Sequence, residues 1–104
     1  MTYDFNNDPL LQHPKLTPNE MAMICDVCNP GFSKHLYDSD EHKRAGLIGN
    51  VLDSFSIYPG TYEEKWNVDR DTMARKLDAL SLEETVEICN QVDRFWESAT
   101  SRAS

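Results

Sequence analysis

Apolar residues recur along most of the chain at intervals of three and four, the spacing of one buried helix face. The clearest run is 82–98, where apolar residues cover about half of a helix circumference. The pattern predicts four main helices over 18–29, 39–55, 70–80 and 82–98, and a single helical turn over 62–66. No stretch shows the strict alternation that is typical of a half-buried strand.

Helix-start signals precede these runs. A hydroxyl residue stands three positions before a glutamate in three places, namely Thr17 with Glu20, Thr61 with Glu64 and Ser81 with Glu84. Such pairs satisfy backbone N–H groups and place negative charge at the positive end of a helix. Acidic starts near Asp38 and Asp69 add two further signals. The sequence therefore predicts an all-α fold, a compact bundle of four main helices plus a short helical turn.

The chain divides into three parts within one domain, because 104 residues close a single modest core. Residues 1–16 have no period and contain Pro9 and Pro14, which predicts an irregular N-terminal arm. Residues 17–98 form the helical domain. Residues 99–104 are expected to be a flexible tail.

The charge of the chain narrows the partners that it can attract. The formal net charge is −8, and affinity for nucleic acid or for an anionic membrane surface requires the opposite sign. We therefore expect a protein partner, with no nucleic acid and no membrane. Three cysteines spread over helical segments favour free thiols and a cytoplasmic location.

The cysteines are the only recognisable chemical motif. Cys25 and Cys28 lie near the C-terminal end of their helix, where the helix dipole does not lower a thiol pKa. With Cys89 and a histidine (His13, His35 or His42) they are candidate zinc ligands, but no second compact pair is present. We expect buried thiols that act as small hydrophobes, and neither a metal ion nor a cofactor.

Two charged residues break the apolar pattern of their helices. Asp93 falls inside the apolar arc of 82–98, and Arg44 falls inside the arc of 39–55, whose apolar face is assigned to Ala45, Ile48, Val51, Leu52 and Phe55. A carboxylate on an apolar face needs a cation or hydrogen-bond donors. We therefore predict a structural Arg44–Asp93 ion pair, with a functional carboxylate or a wet rim position as the alternatives.

Some apolar residues exceed what a lean core needs, since only 39% of the chain is hydrophobic. Exposed apolar groups of this kind often mark an interface. The interaction candidates are Tyr3, Phe5, Leu10, Leu11, Met23 and Val27. They make a homodimer possible, whereas Trp66, Phe95 and Trp96 are expected to pack in the core.

Three classes of function agree with these observations. The first is a small acidic interaction or regulatory module that presents a helical surface. The second is an acidic mimic of nucleic acid, encoded by a phage or mobile element, and the third is a cysteine-based metal protein or enzyme. No phosphate-binding loop, nucleophile elbow or zinc-protease motif is present. We therefore favour the first class and do not expect an enzyme.

Overall fold

The computed structural model describes residues 9–28 and 38–103, with the backbone alone for Leu10 and for 99–103. The described residues form five α-helices and no strand, so the predicted all-α bundle is confirmed. The helices are α1 (Pro18–Val27), α2 (Asp40–Ile57), α3 (Thr61–Trp66), α4 (Arg70–Ala79) and α5 (Leu82–Ala103). A 3₁₀ turn, Pro9–Leu11, precedes them.

Four of the five helix starts follow the local signals. Thr17 caps α1 in a reciprocal capping box, and Ser81 makes the same pair of bonds with Glu84 at the start of α5. Ser39 and Asp69 cap α2 and α4 through their side chains. The start of α3 differs, because Gly60 occupies its N-cap at φ 78° and no side chain caps it. A left-handed turn suited to glycine therefore replaces the expected Thr61 cap.

The two ends of the domain are more ordered in backbone than the sequence suggests. Leu11 and Leu16 are buried in the core, and Gln91 Nε2 donates a 2.9 Å hydrogen bond to the carbonyl of Gln12. At the other end α5 continues through Ala103, so the predicted tail is helical over 99–103. This stretch contains neither glycine nor proline, and nothing local stops the helix.

Helix α1 is the central element. It packs against α2, α3, α5 and the 3₁₀ turn, and six consecutive residues from Glu20 to Cys25 are buried. Its wide apolar arc is therefore explained by neighbours within the chain. The radius of gyration, 13.0 Å, is that of a compact domain of about 100 residues.

Helix α2 packs most extensively against α5 and also contacts α1, α3 and α4. Its buried face is centred on Leu47, Val51 and Phe55, whereas Ala45 is exposed. The buried face of α2 is thus rotated relative to the predicted one. The helices that pack on several sides of α2 also bury Leu47, which the prediction did not include. No helix in the described part of the chain is long and apolar enough to cross a membrane.

Candidate functional site

A small open pocket lies where the C-terminal half of α1 meets α3 and α5. Its volume is about 90 Å³. We call it the Trp pocket. The described residues that line it are Ala22, Cys25, Asp26, Trp66, Phe95 and Trp96. The chain has two tryptophans, and both line this pocket. Apart from the Asp26 carboxylate at the edge, the lining side chains are apolar or aromatic.

Both indole N–H groups of the Trp pocket donate to acceptors within the chain. Trp66 Nε1 donates to Asp26 Oδ2 at 2.9 Å. Trp96 Nε1 donates to the carbonyls of Cys28 at 2.9 Å and Cys25 at 3.2 Å, at the C-terminal end of α1. Because these donors are satisfied, the indoles offer an entering group their apolar faces and edges.

The aromatic walls are held by additional contacts. Phe95 and Trp96 meet edge to face, with ring centroids 5.3 Å apart. Lys65 Nζ donates to the same Asp26 oxygen at 2.8 Å and lies 5.2 Å from the centroid of the Trp66 ring. Asp26 thus fixes both side chains from α3, and its own side chain remains 28% exposed. Contacts within the chain therefore hold the walls of the pocket in place.

The three cysteines are free and buried. Burial, with a smaller contribution from Cys89, raises the pKa of the Cys28 thiol well above its ordinary value. Burial, followed by the nearby Asp93 carboxylate, raises the pKa of Cys89 to about 12. Both thiols are therefore protonated at neutral pH, and the reactive form is the thiolate.

Metal binding by these cysteines receives no geometric support. Within residues 9–28 and 38–103, no group of three or more histidine, cysteine, aspartate or glutamate side chains is placed to hold a metal ion. His35 lies outside the described residues. Cys89 Sγ lies 3.8 Å from the carbonyl of Lys43, an ordinary contact for a buried thiol.

Among the described residues, the contacts of Arg44 do not include its predicted partner Asp93. Arg44 donates instead to the carbonyls of Leu80 at 2.6 Å, Asp78 at 3.2 Å and Ser81 at 3.4 Å. These carbonyls lie where α4 ends, and a cation there complements the negative end of the helix. Asp93 is buried near Cys28 and Cys89. Asp93 is buried, as its place in the apolar arc suggests, whereas Arg44 is only partly buried. The apolar arcs could not show which groups either residue would contact.

A buried ion pair that the sequence did not reveal joins α1 to α4. Lys76 Nζ donates to Glu20 Oε1 at 2.8 Å, and the same oxygen accepts the N–H of Thr17 at 2.8 Å. The Glu20 side chain is 5% exposed. Sequence identified Glu20 only as a capping residue, since a partner 56 positions away leaves no local signal.

The proposed interaction residues need correction. Leu11 and Met23 are buried in the core of this chain, so neither is available to a partner. Val27 is half-buried and packs against the same core. Tyr3, Phe5 and the side chain of Leu10 lie outside the described residues. Among the described candidates, packing within the chain therefore accounts for Leu11, Met23 and Val27.

The aromatic prediction holds only in part. Phe95 is buried as expected, whereas Trp66 and Trp96 are half-buried and line the Trp pocket. A signal was present in the sequence, because Asp26 falls between Ala22 and Met23 around the helix and so interrupts the apolar arc of α1. That position requires polar donors, and here the donors are supplied by Lys65 and Trp66.

A second apolar surface lies at the corner between α2 and α3. Ile57 is 65% exposed and Tyr58 is 53% exposed. Tyr58 meets Tyr62 edge to face, with ring centroids 6.0 Å apart. The residues of this corner do not line the Trp pocket, so the corner provides a comparison surface.

No protein-family model, curated protein or solved structure matches the chain. Function must therefore be argued from the geometry of the molecule itself. Among the features described, the Trp pocket combines a concave apolar surface, fixed walls and a charged edge, the usual elements of a binding site.

Proposed function

We propose that this protein is a small interaction module that binds a partner protein through the Trp pocket. The observation that carries the proposal is the open aromatic pocket in which both tryptophans are fixed by hydrogen bonds. Well-packed interfaces depend on a few side chains that enter such pockets, and tryptophan is prominent among the residues that form them.

The size of the pocket favours a side chain over a larger ligand. An apolar cavity of ~150 Å³ accepts a benzene molecule. The Trp pocket, at about 90 Å³, has room for a smaller group. Cofactor and substrate sites usually span ~300–1,000 Å³, several times this volume. A single side chain of a partner is the natural occupant.

The competing classes receive less support. A nucleic-acid mimic needs carboxylates in a phosphate-like array, and Arg94 interrupts the acidic row on α5. A cysteine enzyme needs an accessible thiolate, whereas burial raises the pKa of Cys28 and Cys89. A second copy of this chain as the partner would bring a second charge of −8 to the interface.

Filling the pocket from within tests the proposal. Ala22→Leu places three extra carbon atoms at the pocket wall, while Ala79→Leu makes the same change at an exposed position on α4. Each tagged variant is used to capture partners from extract of the cells that produce the protein. The captured proteins are then compared by quantitative mass spectrometry.

The proposal expects a stoichiometric partner that is captured by the native chain and by Ala79→Leu but lost with Ala22→Leu. Capture by all three chains alike would overturn it. So would a partner lost only when the exposed corner between α2 and α3 is changed by Ile57→Ser. A melting curve for each variant confirms that the fold is intact.

A further inference from the structure

We infer that the partner presents an aliphatic side chain next to a lysine or arginine, the aliphatic group filling the Trp pocket and the base pairing with Asp26. This inference rests on the proposed function and specifies the chemistry of its partner. It depends on three observations, which are the satisfied donors of the pocket, its volume and the charge at its edge.

The interior of the pocket selects an uncharged aliphatic group. The indole N–H groups of Trp66 and Trp96 already donate within the chain, so the walls do not offer them to an entering acceptor. An entering amide or carboxylate would lose its hydrogen bonds to water at that surface. The volume of about 90 Å³ suits leucine, isoleucine, valine or methionine better than an aromatic ring.

A cation does not fit inside the pocket, although aromatic faces attract cations in general. The ammonium group of Lys65 already lies 5.2 Å from the centroid of the Trp66 ring. A second cation at that ring would meet a like charge at short range. The base of the partner therefore belongs at the edge of the pocket and not within it.

The edge of the pocket provides an acceptor for that base. Asp26 Oδ2 accepts from both Lys65 and Trp66, whereas its Oδ1 accepts no hydrogen bond from any described residue. The Asp26 side chain as a whole is 28% exposed, so a base of the partner can approach this carboxylate from solvent. Lys65 offsets the charge of Asp26 at this edge. Glu63 lies one helical turn before Trp66, and its carboxylate leaves that side of α3 with a net negative charge.

The charge of the whole chain acts in the same direction. A net charge of −8 attracts a basic segment during encounter and repels an acidic one. Local and overall electrostatics therefore select the same partner, an aliphatic residue flanked by bases.

Five capped pentapeptides serve as probes of binding to the Trp pocket. The parent is Ala-Lys-Leu-Lys-Ala, and its relatives replace the leucine by alanine, the leucine by phenylalanine, both lysines by glutamate, or both lysines by alanine. Each is titrated to millimolar concentration, and binding is followed by tryptophan fluorescence and by the two indole N–H resonances. Both signals report on the Trp pocket, since both tryptophans line it.

We expect the parent to bind best. Removing the leucine should weaken binding by about 10-fold or more, because its burial supplies most of the affinity. Phenylalanine should also bind less well. Reversing the charges should weaken binding by about 3-fold or more, as pairs of partly exposed charges imply.

Variants of the protein separate the two parts of the inference. Asp26→Asn keeps an acceptor for Trp66 and should reduce the affinity for the parent to that for the lysine-free peptide. Asp53→Asn, a matched change at an exposed acid on α2, should leave it unchanged. Ala22→Leu should abolish binding of every leucine peptide.

Each remaining result has a defined meaning. Equal binding of the lysine and glutamate peptides, or of the leucine and alanine peptides, would overturn the inference. If no peptide binds but Ala22→Leu still loses the captured partner, the inference fails and the proposed function stands. If no peptide binds and Ala22→Leu captures the partner normally, both fail.

Discussion

Each end of helix α1 carries a carboxylate that binds a lysine and a second N–H donor, but the surroundings of the two carboxylates differ. At its start Glu20 accepts hydrogen bonds from Thr17 and Lys76, and its side chain is 5% exposed. Toward its end Asp26 accepts hydrogen bonds from Trp66 and Lys65, and its side chain is 28% exposed. Each carboxylate therefore binds one lysine and one further N–H donor.

The difference between the two ends lies in what surrounds the carboxylate. Around Glu20 the chain closes, so breaking the pair leaves a buried charge without compensation. Around Asp26 the aromatic walls leave an open pocket, so the carboxylate remains reachable from solvent. Substitutions at the closed end should therefore change mainly stability, and substitutions at the open end should change mainly binding.

The largest expected effect is at the closed end. Glu20→Ala removes both the capping box of α1 and the ion pair with Lys76, and should lower the free energy of unfolding by about 2–4 kcal/mol. The range is reduced because Lys76 is one-third exposed. Urea denaturation measures it. Glu20→Gln retains a capping acceptor and should cost less, and equal losses in the two variants would mean that charge contributes nothing.

Substitution of Arg44 should cause a smaller loss of stability. Arg44 bonds to the C-terminal end of α4, the helix that contains Lys76. Arg44→Ala removes three hydrogen bonds to carbonyls at the junction of α4 and α5, and should cost about 1–3 kcal/mol. Thermal melts measure it. Combined with Asp93→Asn in a double-mutant cycle, it should show coupling below about 0.5 kcal/mol. Strong coupling would instead support the Arg44–Asp93 ion pair that the sequence predicts.

The open end should tolerate a change that a closed core does not. Ala22→Leu extends into the Trp pocket and should alter the free energy of unfolding by less than about 1 kcal/mol, whereas added carbon atoms in a filled core typically cost ~1–3 kcal/mol. Chemical denaturation of this variant beside the native chain measures the difference. A loss of ~1–3 kcal/mol in the free energy of unfolding, as in a filled core, would show that the pocket closes in solution. The contrast between the open and closed ends of α1 would then be wrong.

The smallest effect is confined to acid pH. The Lys15 ammonium, followed by the Ser81 backbone N–H, lowers the pKa of Glu84 to about 2. The ionised form is therefore favoured by folding, and its contribution is present above the ordinary glutamate pKa of ~4.3 and lost as the pH falls toward 2.

Glu84→Gln should accordingly flatten the dependence of the melting temperature on pH between about 5 and 2. The matched variant Glu83→Gln removes an exposed carboxylate from the same helical turn. It should leave the slope near that of the native chain. Parallel slopes for the native chain and Glu84→Gln would show that the Lys15 contact does not form in solution.

The local structure of this protein could be predicted from its sequence. Pairs three residues apart, such as Thr17 with Glu20 and Ser81 with Glu84, predicted helix starts that the structure confirms. Helical periodicity gave the number of helices and bounds within a few residues, except where α5 continues past 98. Helix starts and apolar periodicity depend on residues within about one helical turn of each other. They can therefore be recognised in a single sequence.

The contacts between residues distant in sequence could be seen only in the tertiary structure. Arg44 reaches Leu80 across 36 positions, Lys76 reaches Glu20 across 56, and Trp96 reaches Cys25 across 71. Periodicity shows that a residue turns inward, but it contains no information on the crossing angles and neighbours that choose its partner. The Trp pocket belongs to this second kind of information, because three helices contribute its walls and none of them contains the pocket alone.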